Sequence, residues 1–330
     1  MTSLTTFQQA LLRAVQEPLA LCERPFAAMA EPLGCGEEVL LAEIRRLKDN
    51  GLIRRYRPQL RYRALGRAAV LAAAAVPEER LEQTAAVVSA LAGVSHNYQR
   101  DSRLNLWFTL QGAAMGEIDA ALERLRQTTG LTFYSFAAER VYKLDVRFDP
   151  AGPGPAWFIP GPTPTDRQTD DRPLCIASLS DQETSALAAL QTELPLVSRP
   201  FDQMLNSASG HNPVSMLTTL AGKGVLGKIA AVVDYKRLGY VANAMVCLAA
   251  HAGRVDALGR ELARIPAVSH CYRRRTYPDW PYALYAMFHA DALDRIDAFV
   301  RRFCHTHTVS DYMILPTVRE FKKSPVRIAF

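Results

Sequence analysis

Apolar residues recur along the chain in two rhythms. From Phe7 to Val15 they fall three and four apart, the spacing of a helix face, and Phe26–Ala30 and Glu37–Asn50 repeat it. In the last of these, EEVLLAEIRRLKDN, Val39, Leu40, Ile44 and Leu47 share one face, and Gly51 supplies a C-terminal stop. Ile53–Tyr62 then reads as a short β wing, so the first 63 residues predict a winged helix-turn-helix. Beyond it the predicted order is strand (Ala68–Val76), helix (Glu79–Leu91), strands (Ser95–Arg100 and Asn105–Gln111), helix (Ile118–Gln127) and an interrupted strand (Leu131–Phe148). That βαββαβ order is ferredoxin-like. It returns as Tyr240–Ala249, Val255–Ile265, Val268–Arg273, Tyr282–Phe288, Leu293–Cys304 and Val309–Ala329.

The return is a duplication. Arg24-Pro25-Phe26 recurs as Arg199-Pro200-Phe201, Leu65-Gly66 as Leu238-Gly239, and Val94-Ser95-His96-Asn97-Tyr98-Gln99-Arg100 as Val268-Ser269-His270-Cys271-Tyr272-Arg273-Arg274. The matches keep their order, with an offset near the 174 positions that separate His96 from His270. Asp149–Pro173 between the halves is dense in Pro, Gly, Thr and Asp and predicts a semi-extended linker, with part of the apolar stretch Trp157, Phe158 and Ile159 packed on a domain. The expected class is α+β. The expected domains are 1–63 and 176–237 as winged helix-turn-helices, 64–149 and 238–330 as ferredoxin-like domains, and 150–175 as the linker.

Composition narrows the partners. Hydrophobic residues make up 49% of the 330, enough for packed cores, and the net charge of +6 suits an anionic partner, nucleic acid or polycarboxylate. The N-terminus lacks the plan of a signal peptide, and the longest apolar run, Ala68–Val76, is too short to span a bilayer, so a soluble cytoplasmic protein is expected. The six scattered cysteines form no CxxC, which argues against a disulfide framework or a cysteine-rich metal site.

Chemistry concentrates on two hairpins. Side chains alternate faces along a strand, so His96, Tyr98 and Arg100 share one face, as do His270, Tyr272 and Arg274. A strand face carrying His, Tyr and Arg is a polar pocket wall. A lone histidine is more often structural, and duplication alone would copy a structural motif, but His-x-Tyr-x-Arg in both halves favours function. The aromatic group Tyr277, Trp280, Tyr282 and Tyr285 reads either as core or as a flat wall for a planar ligand.

A winged helix-turn-helix followed by a ferredoxin-like domain resembles the AsnC/Lrp transcription regulators, over both halves. A DNA-binding regulator is therefore the competing reading. The recognition helices speak against it. Glu37 and Glu38 open the first, and Asn212–Leu220 holds no Arg or Lys, with Lys223 at the far end. Arg45, Arg46 and Lys48 fit a solvated helix face. Little or no DNA binding is expected.

The hairpins closely resemble a second family, the siroheme decarboxylases of the heme d1 and alternative heme pathways, including the fused NirDL type. SHNYQR with LNLWFTL in the first half and SHCYRR with TYPDWPYALYAMFH in the second carry the match, and Ala283 departs from a frequent Asn. The resemblance implies loss of CO₂ from the C12 and C18 acetates of siroheme, giving 12,18-didecarboxysiroheme. It implies no cofactor and no resident metal, since iron arrives with the substrate. His96 and His270 become the candidate acid–base pair or iron contacts, and Tyr98 and Tyr272 the acetate hydrogen-bonders. Arg100, Arg273, Arg274 and Arg275 become carboxylate holders, with Trp107, Trp280, Tyr282 and His289 as further substrate contacts. The second-half hairpin, richer in Arg and aromatics, is favoured as the competent one. A tetrapyrrole carrier without turnover shares all these residues. Homologous decarboxylase subunits are the protein partners the family suggests, and a monomer of fused halves or a homodimer both fit.

Weaker signals read as structural. Cys304-His305-Thr306-His307 ends a helix without a second ligand cluster, and His211 and His251 have no supporting neighbours. Lys143, Arg147, Lys322 and Arg327 either add positive field to the pocket or are solvated strand charges.

Overall fold

The computed structural model describes residues 4–162, 178–205, 212–324 and 326–328. Each half begins with three short helices and a wing strand: α1 (Thr6–Ala14), α2 (Pro25–Ala30), α3 (Glu37–Asp49) and β1 (Ile53–Leu60) in the first. The second has α6 (Asp181–Ala189), α7 (Pro200–Leu205), α8 (Pro213–Gly222) and β6 (Leu226–Val233). The duplication extends to the caps. Thr5 and Gln8 form a capping box on α1, and Ser180 and Glu183 form its counterpart on α6. After α3 and α8 the chain turns through Gly51 and Gly224 at φ 71° and 74°, a region costly for other residues.

The two winged modules do not stand apart. β1 and β6 pair antiparallel, and Leu11, Phe26, Ile44 and Tyr56 share one buried core with Leu187, Phe201, Leu217 and Ile229. Main-chain bonds from Ala231 to Val15 and from Leu194 to Tyr56 cross between the halves. In the first recognition helix Glu37 is buried against Arg24 at 2.5 Å, so it folds back on its own module. Lys223, beyond α8, is tied to Glu183 at 2.6 Å.

The ferredoxin-like units are β2 (Ala68–Ala74), α4 (Leu81–Ala90), β3 (Val94–Arg100), β4 (Leu106–Gly112), α5 (Met115–Thr129) and β5 (Phe133–Leu144) in the first half. In the second they are β7 (Ala242–Ala249), α9 (Val255–Ala263), β8 (Val268–Arg274), β9 (Leu284–Ala290), α10 (Leu293–His307) and β10 (Asp311–Lys323). The interruption expected in the first half's last strand is a change of partner. Phe133–Ala137 of β5 pairs with β2, and Ala138–Leu144 continues across to β8 of the other half. β10 does the same, with Asp311–Pro316 on β7 and Thr317–Lys323 on β3. These crossings close eight strands into one barrel, in the order β10-β3-β4-β2-β5-β8-β9-β7. Closure leaves no unpaired edge in the barrel itself.

Two apolar layers clothe the barrel outside, α4 and α5 over the first half and α9 and α10 over the second. Lys143 and Lys322, read as pocket or surface charges, instead fasten the crossing strands. Lys143 Nζ donates to Ile265 O at 2.9 Å beyond α9, and Lys322 Nζ to Ser89 O at 2.8 Å in the last turn of α4. Arg147 is ion-paired to Asp145 and Glu17, and Arg327 is exposed. The strand expected from Tyr282 starts at Leu284, because residues 275–283, with Pro278 and Pro281, fold across one end of the barrel. Of the linker, Trp157 and Phe158 pack as expected, Trp157 Nε1 donating to His289 O at 2.7 Å. Residues 163–175 and His211 lie outside the described residues. Among the described residues no helix is long and apolar enough to cross a membrane, and no three His, Cys, Asp or Glu residues converge as a metal site. His307 pairs with Glu261 at 3.0 Å and Cys304 is buried in the α10 core, a structural role for that segment.

Candidate active site

Strand alternation sends Asn97 of β3 outward to the helices and His96, Tyr98 and Arg100 into the barrel, and a register shift between Val94 and His96 lets Val94 face the helices as well. β8 does the same with His270, Tyr272 and Arg274 inside and Cys271 outside. β3 and β8 lie four places apart either way around the eight-strand circuit. Four antiparallel steps make them run in the same direction. The two His-Tyr-Arg ladders therefore face each other across the barrel, with both histidines at one end.

The other end is plugged. Trp280, from the 275–283 loop, packs against Trp107 at 5.7 Å between ring centres, and with Phe136, Tyr282 and Tyr285 it fills that end. Asp279 accepts from Arg103 and from Tyr134 and pins the loop. Trp107, Trp280 and Tyr282, expected on a ligand wall, are almost wholly buried here. Tyr282 spends its hydroxyl on Asp311 at 2.7 Å. They form the floor of the barrel. Two of the expected arginines are also elsewhere: Arg273 points outward, 3.0 Å from Glu139, and Arg275 is exposed beyond the strand end. Alternation puts odd positions of β8 on the far face from His270.

Arg100 and Arg274 remain inside. Arg100 Nη1 donates to Leu315 O at 2.9 Å and to Thr317 Oγ1 at 3.2 Å, and Arg274 Nη1 donates to Phe136 O at 2.7 Å. The Nε–H of each is buried without an acceptor, and among the described residues neither guanidinium has a carboxylate. Burial pulls Arg100 down to about 10 and lowers Arg274 as well. A buried cation with no anion costs several kcal/mol, roughly, unless something supplies the charge. Two on facing walls describe a chamber built for an anion.

A directional hydrogen-bond chain joins the walls. Arg100 donates to Thr317 Oγ1, and Thr317 donates to Asn243 Oδ1 at 2.9 Å, which fixes the amide so that its nitrogen faces His289 Nδ1 at 3.1 Å. The proton of His289 then sits on Nε2, 2.9 Å from Ser269 Oγ, and Ser269 lies 2.7 Å from His270 Nδ1. The Ser269 hydroxyl also reaches Met287 O at 3.4 Å, the longest of its contacts. Donation along the shorter line to His270 Nδ1 is the arrangement that puts the His270 proton on Nε2. Both ring nitrogens of His289 are engaged, and Phe148 and Tyr235 pack edge-on against its ring, so it lies behind Ser269 and His270 with no ring nitrogen left over.

The first half keeps only the start of this chain. Ser95 Oγ lies 2.9 Å from His96 Nδ1, but Gln111 stands where the second half has His289, with its Oε1 buried and unpartnered, and Ala69 stands in place of Asn243. Burial lowers His96 and His270 to about 4, although each keeps an open edge. On His96 the next causes are cations: Lys323, which pairs across from it on β10, then Arg55 and Arg57 of β1. The wing sheet thus overhangs the histidine end. Ser95, Ser269, Asn243, Thr317, Lys323 and the β1 arginines were missed in the sequence. Only the serines, repeated before each histidine, carried a signal there.

Comparison with known proteins agrees with this architecture. The AsnC-like ligand-binding domain family matches residues 64–143 and 237–322, and the siroheme decarboxylase NirDL-like HTH domain family matches residues 8–54. The siroheme decarboxylase of Hydrogenobacter thermophilus is 31% identical over 324 residues, 97% of this chain and 93% of that protein. The siroheme decarboxylase NirDL subunit of Paracoccus denitrificans is 34% identical over 85% of this chain and 83% of its own length. The NirD subunit of Pseudomonas aeruginosa is 41% identical over 42% of this chain and 91% of its own length, so separate relatives correspond to single halves. A crystal structure of the siroheme decarboxylase NirDL superposes with TM-score 0.74 at 28% identity, covering 98% of this chain and 94% of that one. A second, in complex with an iron-uroporphyrin III analogue, gives 0.73 at 27% identity with the same coverage. With two duplicated His-Tyr-Arg walls and a whole-length match, the chain belongs to the siroheme decarboxylase family, in its fused NirDL-type form.

Proposed function

We propose that this protein is a carboxy-lyase that converts the C12 and C18 acetates of siroheme to methyl groups. The observation that carries the reading is the pair of guanidiniums, Arg100 and Arg274, each with its Nε buried and without a carboxylate among the described residues, on facing walls below two histidines. A tetrapyrrole with many carboxylates supplies the charge they lack. Related solved structures include one holding an iron-uroporphyrin III analogue, a polycarboxylate of that kind.

For each acetate, R–CH₂–COO⁻ plus H⁺ gives R–CH₃ plus CO₂. The C–C electron pair passes to the methylene carbon, which takes the proton, so the balance needs no redox partner. Iron belongs to the substrate. His270 is the principal proton donor, supported by the polar chain that presents its Nε2–H, and His96 faces it on the other wall. Burial keeps both imidazoles neutral near pH 7. An incoming carboxylate favours the imidazolium and raises the pKa, so the substrate charges its own acid. Tyr98 and Tyr272, each beside the histidine of its own wall, are the proposed hydrogen-bonders of an acetate before it leaves.

Anaerobic incubation with siroheme and mass analysis of the tetrapyrrole tests this. Loss of two CO₂ is expected. Loss of one would assign the second step to a homologous subunit. Siroheme bound but unchanged would make the protein a carrier and overturn the enzymatic reading.

A further inference from the structure

Among cations near the chamber mouth, most have an acid of their own. Arg54 pairs with Asp234 at 2.9 Å, Lys228 with Asp145 at 3.2 Å, Arg147 with Asp145 at 2.5 Å, and Lys323 lies 3.8 Å from Glu320 with its ammonium over the Tyr235 ring. Arg55 and Arg57 have none among the described residues. The acid nearest in effect to Arg57 is Glu193, which is already held by Lys48.

Their placement is set by the fold. Tyr56 turns into the shared winged-helix core against Phe26, so alternation sends Arg55 and Arg57 to the opposite face of β1. That face overhangs the barrel mouth. The end of β6 beside Arg55 runs into Asp234 and Tyr235, and Tyr235 touches both Lys323, which is paired across from His96, and His289. Both arginines are half-buried, and each weighs on the other and on His96. The duplicated wing does not repeat them: Lys228, tied to Asp145, and Ala230 stand at the corresponding positions of β6. Holding two guanidiniums together, partly out of water and without an acid, is unfavourable unless an anion sits between them.

We propose that Arg55 and Arg57 form a carboxylate-binding site on the β1 wing that anchors the rim of the tetrapyrrole on the His96 side, across the barrel from His270. The wing of the helix-turn-helix module then acts as the roof of a substrate chamber. This rests on the reading of the chamber as a tetrapyrrole site, and the test separates the two. Iron-uroporphyrin III is titrated by absorbance into the full-length protein, the Arg55→Gln/Arg57→Gln variant and the Arg55→Lys/Arg57→Lys variant, at low and high salt. The proposal expects the Gln variant to bind at least tenfold more weakly, with a shallower salt dependence. The Lys variant should recover much of the affinity, and all three should melt together. Unchanged affinity in the Gln variant, or a loss confined to binding of a labelled DNA duplex, would overturn it and return the arginines to a nucleic-acid role. Failure of the wild-type protein to bind iron-uroporphyrin III would remove the tetrapyrrole reading and this site with it.

Discussion

His96 and His270 occupy equivalent places in a duplicated motif, yet their surroundings differ. Behind His270 stand Ser269, His289 and Asn243; behind His96 stand Ser95, Gln111 and Ala69. Replacement of His270 by Ala should lower single-turnover decarboxylation by about 10²-fold or more, the usual share of a general acid. His96→Ala, lacking that relay, should cost less; equal rates for both variants and wild type would remove the histidines from the mechanism. The pH profile follows from the depressed pKa of about 4. Because kcat/KM reports the free enzyme and kcat the complex, the alkaline limb of kcat should lie at higher pH than that of kcat/KM. Coincident limbs would mean that substrate does not charge the imidazole. Ser269→Ala frees the tautomer of His270 and should reduce kcat by about tenfold, short of the loss for His270 itself, with a shifted limb that a packing defect would not produce.

At the scale of elements, the crossing strands β5 and β10 decide the architecture, and one glycine shows how closely they are held. A Cβ on Gly259, in the middle of α9, would meet the Tyr142 ring at 2.4 Å. Alanine in a helix interior is favoured over glycine by ~1 kcal/mol. Overpacking a core costs ~1–3 kcal/mol, and here the ring belongs to β5 of the other half, its hydroxyl held by Asp256. The clash should win. Gly259→Ala is expected to lower the denaturant midpoint, and a gain in stability would show that the ring can swing aside. The crossings explain which boundaries the sequence left blurred. Most helix faces and the inner and outer residues of β3 and β8 followed from periodicity, because 3.6 and 2.0 are local properties, but on α3 the core face is Leu40, Leu41, Ile44 and Leu47, and Val39, expected on it, is exposed. A strand that changes partner midway reads as an interruption, since its register shifts at Ala138–Arg140 and Val141–Lys143 break the alternation. The capping of α4 and α9 by Lys322 and Lys143 from the opposite half had no local sign at all.

For the molecule as a whole, three histidines are kept neutral by burial: His96 and His270 at about 4 and His289 at about 3. Their folded pKa values lie below the unfolded value, so the stability they contribute is complete above pH ~6.5 and is lost as pH falls toward the folded values. The melting temperature should drop between pH 7 and pH 4, and His289→Gln should flatten that fall; an unaltered slope would place the acid sensitivity elsewhere. The sequence alone determined the duplication, the α+β class, the two His-Tyr-Arg walls and the family, because these are properties of order, period and motif. It also held the serines beside both histidines. The tertiary structure alone decided that the two sheets close into one barrel, that Trp107, Trp280 and Tyr282 plug its floor, that Arg273 and Arg275 turn away, and that Arg55 and Arg57 bring their charge to bear on His96. Those outcomes depend on which distant segments meet, and a chain's local pattern of apolar and polar positions fixes the face a residue takes but not the neighbour it finds there.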